Sequence, residues 1–179
     1  MTQQLGKLTF KPADQAKPLL GLPVNDYLRK HDYTTVWVCE IDPNLADTAA
    51  FCQQHEIDLG ISANCVVVEA KRGDRTWYAA CIILATSKAD VNGVVRKTLD
   101  ARKVSFAPMD IATSLTHMEY GGITPIGLPG DWPIFIDSQV LQHEKLIVGS
   151  GIRGSKVLTT SEKLQSLPNV RVLDIARHL

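Results

Sequence analysis

The chain has 179 residues, of which 45% are hydrophobic, enough for a core of its own within one domain. No apolar stretch approaches the ~20 residues of a membrane span, and Met1 to Phe10 lacks the apolar centre of a secretion signal, so no membrane partner is expected and the cytoplasm is the expected compartment. Net charge is zero, but seven acidic residues and no Lys or Arg lie between His31 and Ala70, which leaves +7 on the rest of the chain.

Residues 1–33, with Pro12, Pro18 and Pro23, read as an N-terminal arm packed on a domain that occupies 34–179. Thr34 to Ile41 is β-branched and aromatic, which predicts a strand; Asp42-Pro43-Asn44 stops it, and Leu45 to Gln54 reads as a helix. Cys65 to Ala70 and Trp77 to Thr86 predict an antiparallel pair turned at Lys71 to Arg75. Asp90 can cap a helix in which Val91, Val94, Val95, Thr98 and Leu99 share one face. Lys103 to Ala107 returns as a strand, and Pro108 opens a short helix carrying Ile111, Ala112 and Leu115. Trp132 to Asp137, Lys145 to Gly149, Lys156 to Thr160 and Val170 to Leu173 are further strands, with a helix at Ser161 to Leu167. Short strands interrupted by helices give a mixed α/β fold.

The four cysteines form no Cys-x-x-Cys pair and have no clustered histidines, so no metal and no cofactor are expected. Basic groups at Lys71-Arg72 with Arg75, at Arg96-Lys97 and Arg102-Lys103, and at Arg153 with Lys156 would meet a phosphate backbone if they share one face.

The most informative stretch is Met118-Glu119-Tyr120-Gly121-Gly122-Ile123-Thr124-Pro125-Ile126-Gly127, where glycines open the backbone to a ligand and proline stiffens the turn. With Asp131-Trp132-Pro133-Ile134-Phe135-Ile136-Asp137 and Gly149-Ser150-Gly151-Ile152-Arg153, it resembles the YbaK/EbsC family of aminoacyl-tRNA deacylases, related to the editing domain of bacterial prolyl-tRNA synthetase, over roughly Thr35 to Leu173. The resemblance implies a YbaK-like domain with a mostly antiparallel or mixed curved sheet and flanking helices. It implies trans-editing hydrolysis of mischarged tRNA of the prolyl-tRNA-editing type. The partners are then the aminoacylated 3′ end of tRNA and, further, an aminoacyl-tRNA synthetase.

In that family the loop written here as Gly121 to Pro125 holds the aminoacyl group and terminal adenosine, so Gly121, Gly122 and Thr124 are catalytic candidates and Ile123 and Pro125 substrate contacts. Backbone amides that receive the tetrahedral oxyanion would supply the catalysis. Gly122 is expected to be open to the pocket, so that a valine there would block activity without unfolding the chain. A family lysine at the start of the strand after the first long helix is Asn64 here, which donates a hydrogen bond but carries no charge. Lys156 is a substitute from another direction, more so than Lys71. The alternative is a non-catalytic binder of tRNA 3′ ends or aminoacyl nucleotides that has lost turnover with the lysine. Cys65 is expected to face away if Asn64 faces the pocket. His117, next to the loop, is a candidate general base. Asp137 is a candidate for the amino group at the pocket mouth, and Ser150, Gly151 and Arg153 for a phosphate or carboxylate.

Overall fold

In the computed structural model, which describes residues 1–178, a hairpin opens the chain: β1 (Gln3–Leu5) and β2 (Leu8–Pro12) turn at Gly6, whose φ of +53° suits glycine. Then come α1 (Leu22–Lys30), with Pro23 in its first turn, β3 (Val36–Glu40) and α2 (Thr48–His55). The paired strands β4 (Ala63–Arg72) and β5 (Arg75–Leu84) follow, joined by a tight turn at Gly73-Asp74. A short β6 (Ser87–Ala89) leads into a π turn (Val91–Val95), α3 (Arg96–Thr98), β7 (Lys103–Phe106) and α4 (Met109–Thr116). Beyond the glycine loop run β8 (Ile134–Asp137), β9 (Lys145–Gly149), β10 (Ser155–Thr160), α5 (Ser161–Gln165), β11 (Val170–Leu173) and β12 (Ala176–His178).

Besides an antiparallel pair of β6 with β12, the strands form two five-stranded sheets. One is antiparallel, in the order β1-β2-β3-β10-β9; the other is mixed, in the order β11-β8-β5-β4-β7, with β11, β8 and β5 parallel. A bridge between Ser62 and Ile147 links the two where β4 begins. The fold is thus the expected mixed α/β type, with a curled, largely antiparallel arrangement.

Alternation along the strands sorts the core. Val36 and Val38 of β3, Leu146 and Val148 of β9 and Val157 of β10 face the central core, with Ile82, Leu84, Ile134 and Ile136 from the second sheet. Val24 and Leu28 of α1 are fully buried in that same core, and Lys11 and Pro12 of β2 pair with Val38 and Trp37, so residues 1–33 supply a sheet edge and a core wall. The opposite face of the first sheet presents Cys39 and Leu158 to Phe51 and Cys52 of α2. The opposite face of the second, through Val68, Ala70, Ala79 and Cys81, covers Val91, Val95 and Leu99. Trp132 packs with Val67 and Ala112 and stacks on Tyr78 at 5.7 Å between ring centres, so it is a core residue.

Two expected helices begin or run differently. Asp42 caps only a single 3₁₀ turn, accepting from the Asn44 amide at 2.9 Å, and α2 starts after Asp47, whose Oδ1 accepts from the amides of Ala49 and Ala50. The Asp90 helix forms, but Gly93 departs from helical geometry inside it and splits it. No helix among the described residues is long and apolar enough to cross a membrane.

Candidate active site

Where the two sheets diverge at Ser62, a cavity of about 570 Å³ opens between the first turn of α2, the start of β4, the end of β9 and the glycine loop. Its charged lining side chains are Asp47, Arg153 and Lys156. Of the residues expected at a site, Asn64, Gly121, Ile123, Arg153 and Lys156 line it.

The glycine loop is sewn to the turn after β9 by two backbone hydrogen bonds and closed by a third within itself. The Glu119 amide donates to Gly151 O at 2.9 Å, the Gly151 amide to Gly122 O at 2.7 Å, and the Gly122 amide to Glu119 O at 2.9 Å. The approach is too close for side chains: a Cβ on Gly122 would lie 2.6 Å from the Ile152 backbone, and one on Gly149 would lie 2.5 Å from Gly122 O. Gly122 is therefore a packing position and not an opening, which corrects the expectation that it faces the pocket. The amides of Gly121 and Ile123, by contrast, donate to no acceptor among the described residues. Gly121 holds φ at +80°, a conformation costly for any other residue. Thr124 is buried with no hydrogen-bond partner for its hydroxyl, and Pro125 lines a different hollow of about 300 Å³ beside Pro23 and Tyr27.

Asn64 sits at the cavity edge, where its Oδ1 accepts from the Thr48 hydroxyl at 2.8 Å. This bond fixes the amide plane and leaves its NH₂ as donor. Cys65 also contributes to the lining, because the cavity wraps the end of β4; the two neighbours do not divide between inside and outside as strand alternation predicts. Cys65 nevertheless packs against the central core, and burial pushes its thiol pKa up, so it is a poor nucleophile.

Lys156 projects from β10, which is paired on both sides: Lys156 lies opposite Cys39 of β3 and Gly149 of β9. Only 5% of it is exposed. Its ammonium donates to Ala46 O at 3.0 Å and lies 5.5 Å from the Phe51 ring centre, and burial lowers its pKa. The Arg153 guanidinium is already engaged, donating to Tyr120 O at 3.0 Å and Pro43 O at 3.1 Å. Lys71 pairs with Glu69 at 2.6 Å at the far end of β4, so it does not reach the cavity.

Other expected site residues lie elsewhere. Asp137 is 2% exposed and accepts from the amides of Gln139, Ile175 and Ala176, which makes it a clamp between β8 and the C-terminal segment, not a pocket-mouth carboxylate. Ser150 is buried and its hydroxyl bonds Ile152 O, Ser155 O and the Ser155 hydroxyl. Gly151, at φ +91°, packs on Gly21 at the start of α1. His117 ends α4 in the left-handed conformation, exposed and outside the cavity lining. Sequence reasoning missed Asp47 and Thr48; the Asp-Thr pair before an apolar run was a helix-start signal, overshadowed by Asp42. Among the described residues no three His, Cys, Asp or Glu side chains cluster to hold a metal.

Residues 42–167 match the aminoacyl-tRNA editing domain family. A curated relative, "Putative Cys-tRNA(Pro)/Cys-tRNA(Cys) deacylase EbsC" of Enterococcus faecalis, is 24% identical over 103 residues, 58% of this chain and 62% of the relative; the match therefore spans under two thirds of that protein. The solved structure described as "Crystal structure of a putative trans-editing enzyme for prolyl tRNA synthetase" has a TM-score of 0.74 at 17% identity, covering 87% of this chain and 95% of the other. A second, "Crystal structure of hypothetical protein APE2540", has a TM-score of 0.76 at 16% identity, covering 87% and 99%. The structural likenesses carry the fold and the sequence match carries the family: this chain belongs to the aminoacyl-tRNA editing domains, of the YbaK/EbsC type.

Proposed function

We propose that the chain is a deacylase that acts in trans on mischarged tRNA, of the prolyl-tRNA-editing type, hydrolysing the ester between the amino acid and the terminal ribose in the cavity below the glycine loop. The observation that carries this reading is that Gly121 and Ile123 line the cavity and that their amides have no acceptor among the described residues. Ester hydrolysis passes through a tetrahedral oxyanion, and fixed amide donors at that oxygen lower its barrier. The loop is fixed by two bonds to the strand turn and one within itself, so the donors are preorganised. Water adds to the carbonyl carbon, the adduct collapses, and the ribose oxygen leaves with the proton that water gave up. Asn64, fixed by Thr48, positions the substrate through its NH₂. The partners are the aminoacylated 3′ end of tRNA and an aminoacyl-tRNA synthetase, in the cytoplasm.

A screen of the purified protein against tRNAs charged with Ala, Cys, Ser, Thr and Pro tests this. Loss of ester faster than in buffer for at least one mischarged species is expected. A second reading, a non-catalytic binder of the tRNA 3′ end, is favoured by the register in which the resemblance puts the neutral Asn64 at the position of the family lysine. Binding without hydrolysis for every species would select it.

A further inference from the structure

Lys156 is the anomaly of the cavity. It is almost wholly buried, yet among the described residues no carboxylate lies within salt-bridge distance, and of its three N–H donors only one has an acceptor, Ala46 O. A buried cation without a counter-charge is costly, and a site keeps one where a ligand supplies the missing partner. The titratable and charged groups around it are Asp47 and Cys52 from α2, Cys39 from β3 and Arg153 from the turn after β9. Of these only Asp47 carries an opposite charge, and it favours the protonated lysine from beyond salt-bridge distance, with its Oδ1 held by the Ala49 and Ala50 amides; burial raises both thiols, that of Cys39 to about 12, and Arg153 has the same sign. A position on a strand paired on both sides holds the Lys156 backbone rigidly.

We propose that Lys156 is a catalytic residue whose ammonium binds the acyl carbonyl oxygen of the ester, alongside the Gly121 and Ile123 amides, and carries the charge balance when water adds. The inference rests on the deacylase reading and names the cation of that same site. The carbon–oxygen bond to water forms as the carbonyl electron pair moves onto the oxygen. That oxygen stays paired with the ammonium, which keeps its proton throughout. Collapse restores the carbonyl and expels the ribose oxygen, which takes up water's proton. In this chain the charge at the reacting oxygen thus comes from β10, while β4 contributes only the neutral amide of Asn64.

The test compares wild type, K156M and K156R in three measurements. Methionine keeps the length of the side chain without its charge, so the thermal transition of K156M should stay level or rise. Its kcat should fall on the order of 10²-fold, with a much smaller change in KM, and K156R should recover part of the loss. Activity relative to the buffer rate should decline in wild type as pH rises through the lowered Lys156 pKa, a limb that K156M lacks. The third measurement needs no turnover: an adenosine ester of an aminoalkylphosphonate, whose tetrahedral anion stands for the adduct, should bind wild type and lose affinity in K156M in step with kcat/KM. Unchanged kcat in K156M, a rise in KM alone, or wild-type activity that climbs on the same pH limb overturns the assignment while leaving the deacylase reading intact. A wild type that neither hydrolyses any charged tRNA nor binds the phosphonate overturns both.

Discussion

Gly122 and Gly149 approach each other as backbone to backbone, and a side chain on either has no place to go: the nearest atoms are main chain, not the tip of a flexible side chain. Gly122→Val should therefore lower the thermal transition and remove activity together, whereas Gly130→Ala, which meets nothing within 4 Å, should change neither. Differential scanning calorimetry of the two variants separates packing from chemistry at this loop. Lys156 leaves a thermodynamic trace as well. Its pKa in the folded chain is below the ordinary 10.5, so between the lowered value and 10.5 the unfolded chain binds more protons, and stability contributed by this site rises with pH. Denaturant titrations in that window should show the difference between wild type and K156M shrinking as pH rises; a constant difference would mean that Lys156 titrates normally. At this scale the sequence is legible in the placement of Gly121 and Ile123 at the cavity, because the loop that carries them is local in the chain. It was not at Asp137, Ser150 and Gly151, where the decisive partners are Ile175, Ser155 and Gly21, residues remote or unsuspected in the chain.

At the level of elements, the site depends on one cross-link, the hydrogen bond from the Thr48 hydroxyl at the start of α2 to Asn64 at the start of β4. Thr48→Val should cost about 1 kcal/mol of stability, the usual worth of such a bond, and should slow hydrolysis if the Asn64 amide is the positioning donor. A hydrolysis rate unaltered in Thr48→Val would remove Asn64 from the mechanism. Asp47→Ala should add a loss of about 1 kcal/mol through the N-cap of α2. Strands β9 and β11 stand where the β-branched runs predicted them, because each is a short apolar segment bounded by turn residues. The first hairpin was hidden for a different reason. Leu5, Leu8 and Phe10 have little apolar pattern in isolation, and β2 acquires its role only from pairing with β3, more than 20 residues later. The split of the Asp90 helix follows from Gly93, whose backbone (φ −94°, ψ −108°) leaves helical geometry although Asp90 caps its amide at 3.2 Å.

Across the whole molecule, the divergence of the two sheets at Ser62 makes the cavity, and the opposite end of β4 gathers positive charge. Lys71 lies opposite Lys103 in the β4–β7 ladder, with Arg72, Arg75 and Arg102 beside them; Lys71 and Arg72 are paired with Glu69 and Asp100, which leaves Arg75, Arg102 and Lys103 to carry the excess. That end is about 23 Å from Asn64, seven residues along an extended strand. A tRNA whose 3′ end enters the cavity would have phosphates of its acceptor arm within reach of this edge. Lys103→Glu with Arg75→Glu should weaken tRNA binding and flatten its dependence on salt, as fewer counterions are released. Fluorescence anisotropy across a salt series measures both, and an unchanged slope would place the RNA on another face. Of the basic groups that the sequence analysis requires to share one face, Lys71-Arg72 with Arg75 and Arg102-Lys103 meet here through the β4–β7 register, whereas Arg153 and the buried Lys156 lie at the cavity, at the other end of β4. Whether the cavity hydrolyses the ester or merely holds it is decided by a time course with the best mischarged tRNA in large excess over the protein. All of the ester should be lost, over many turnovers per protein molecule, and at a rate proportional to protein concentration. Ester that decays at the buffer rate, or more slowly because the bound fraction is protected, would contradict the deacylase reading.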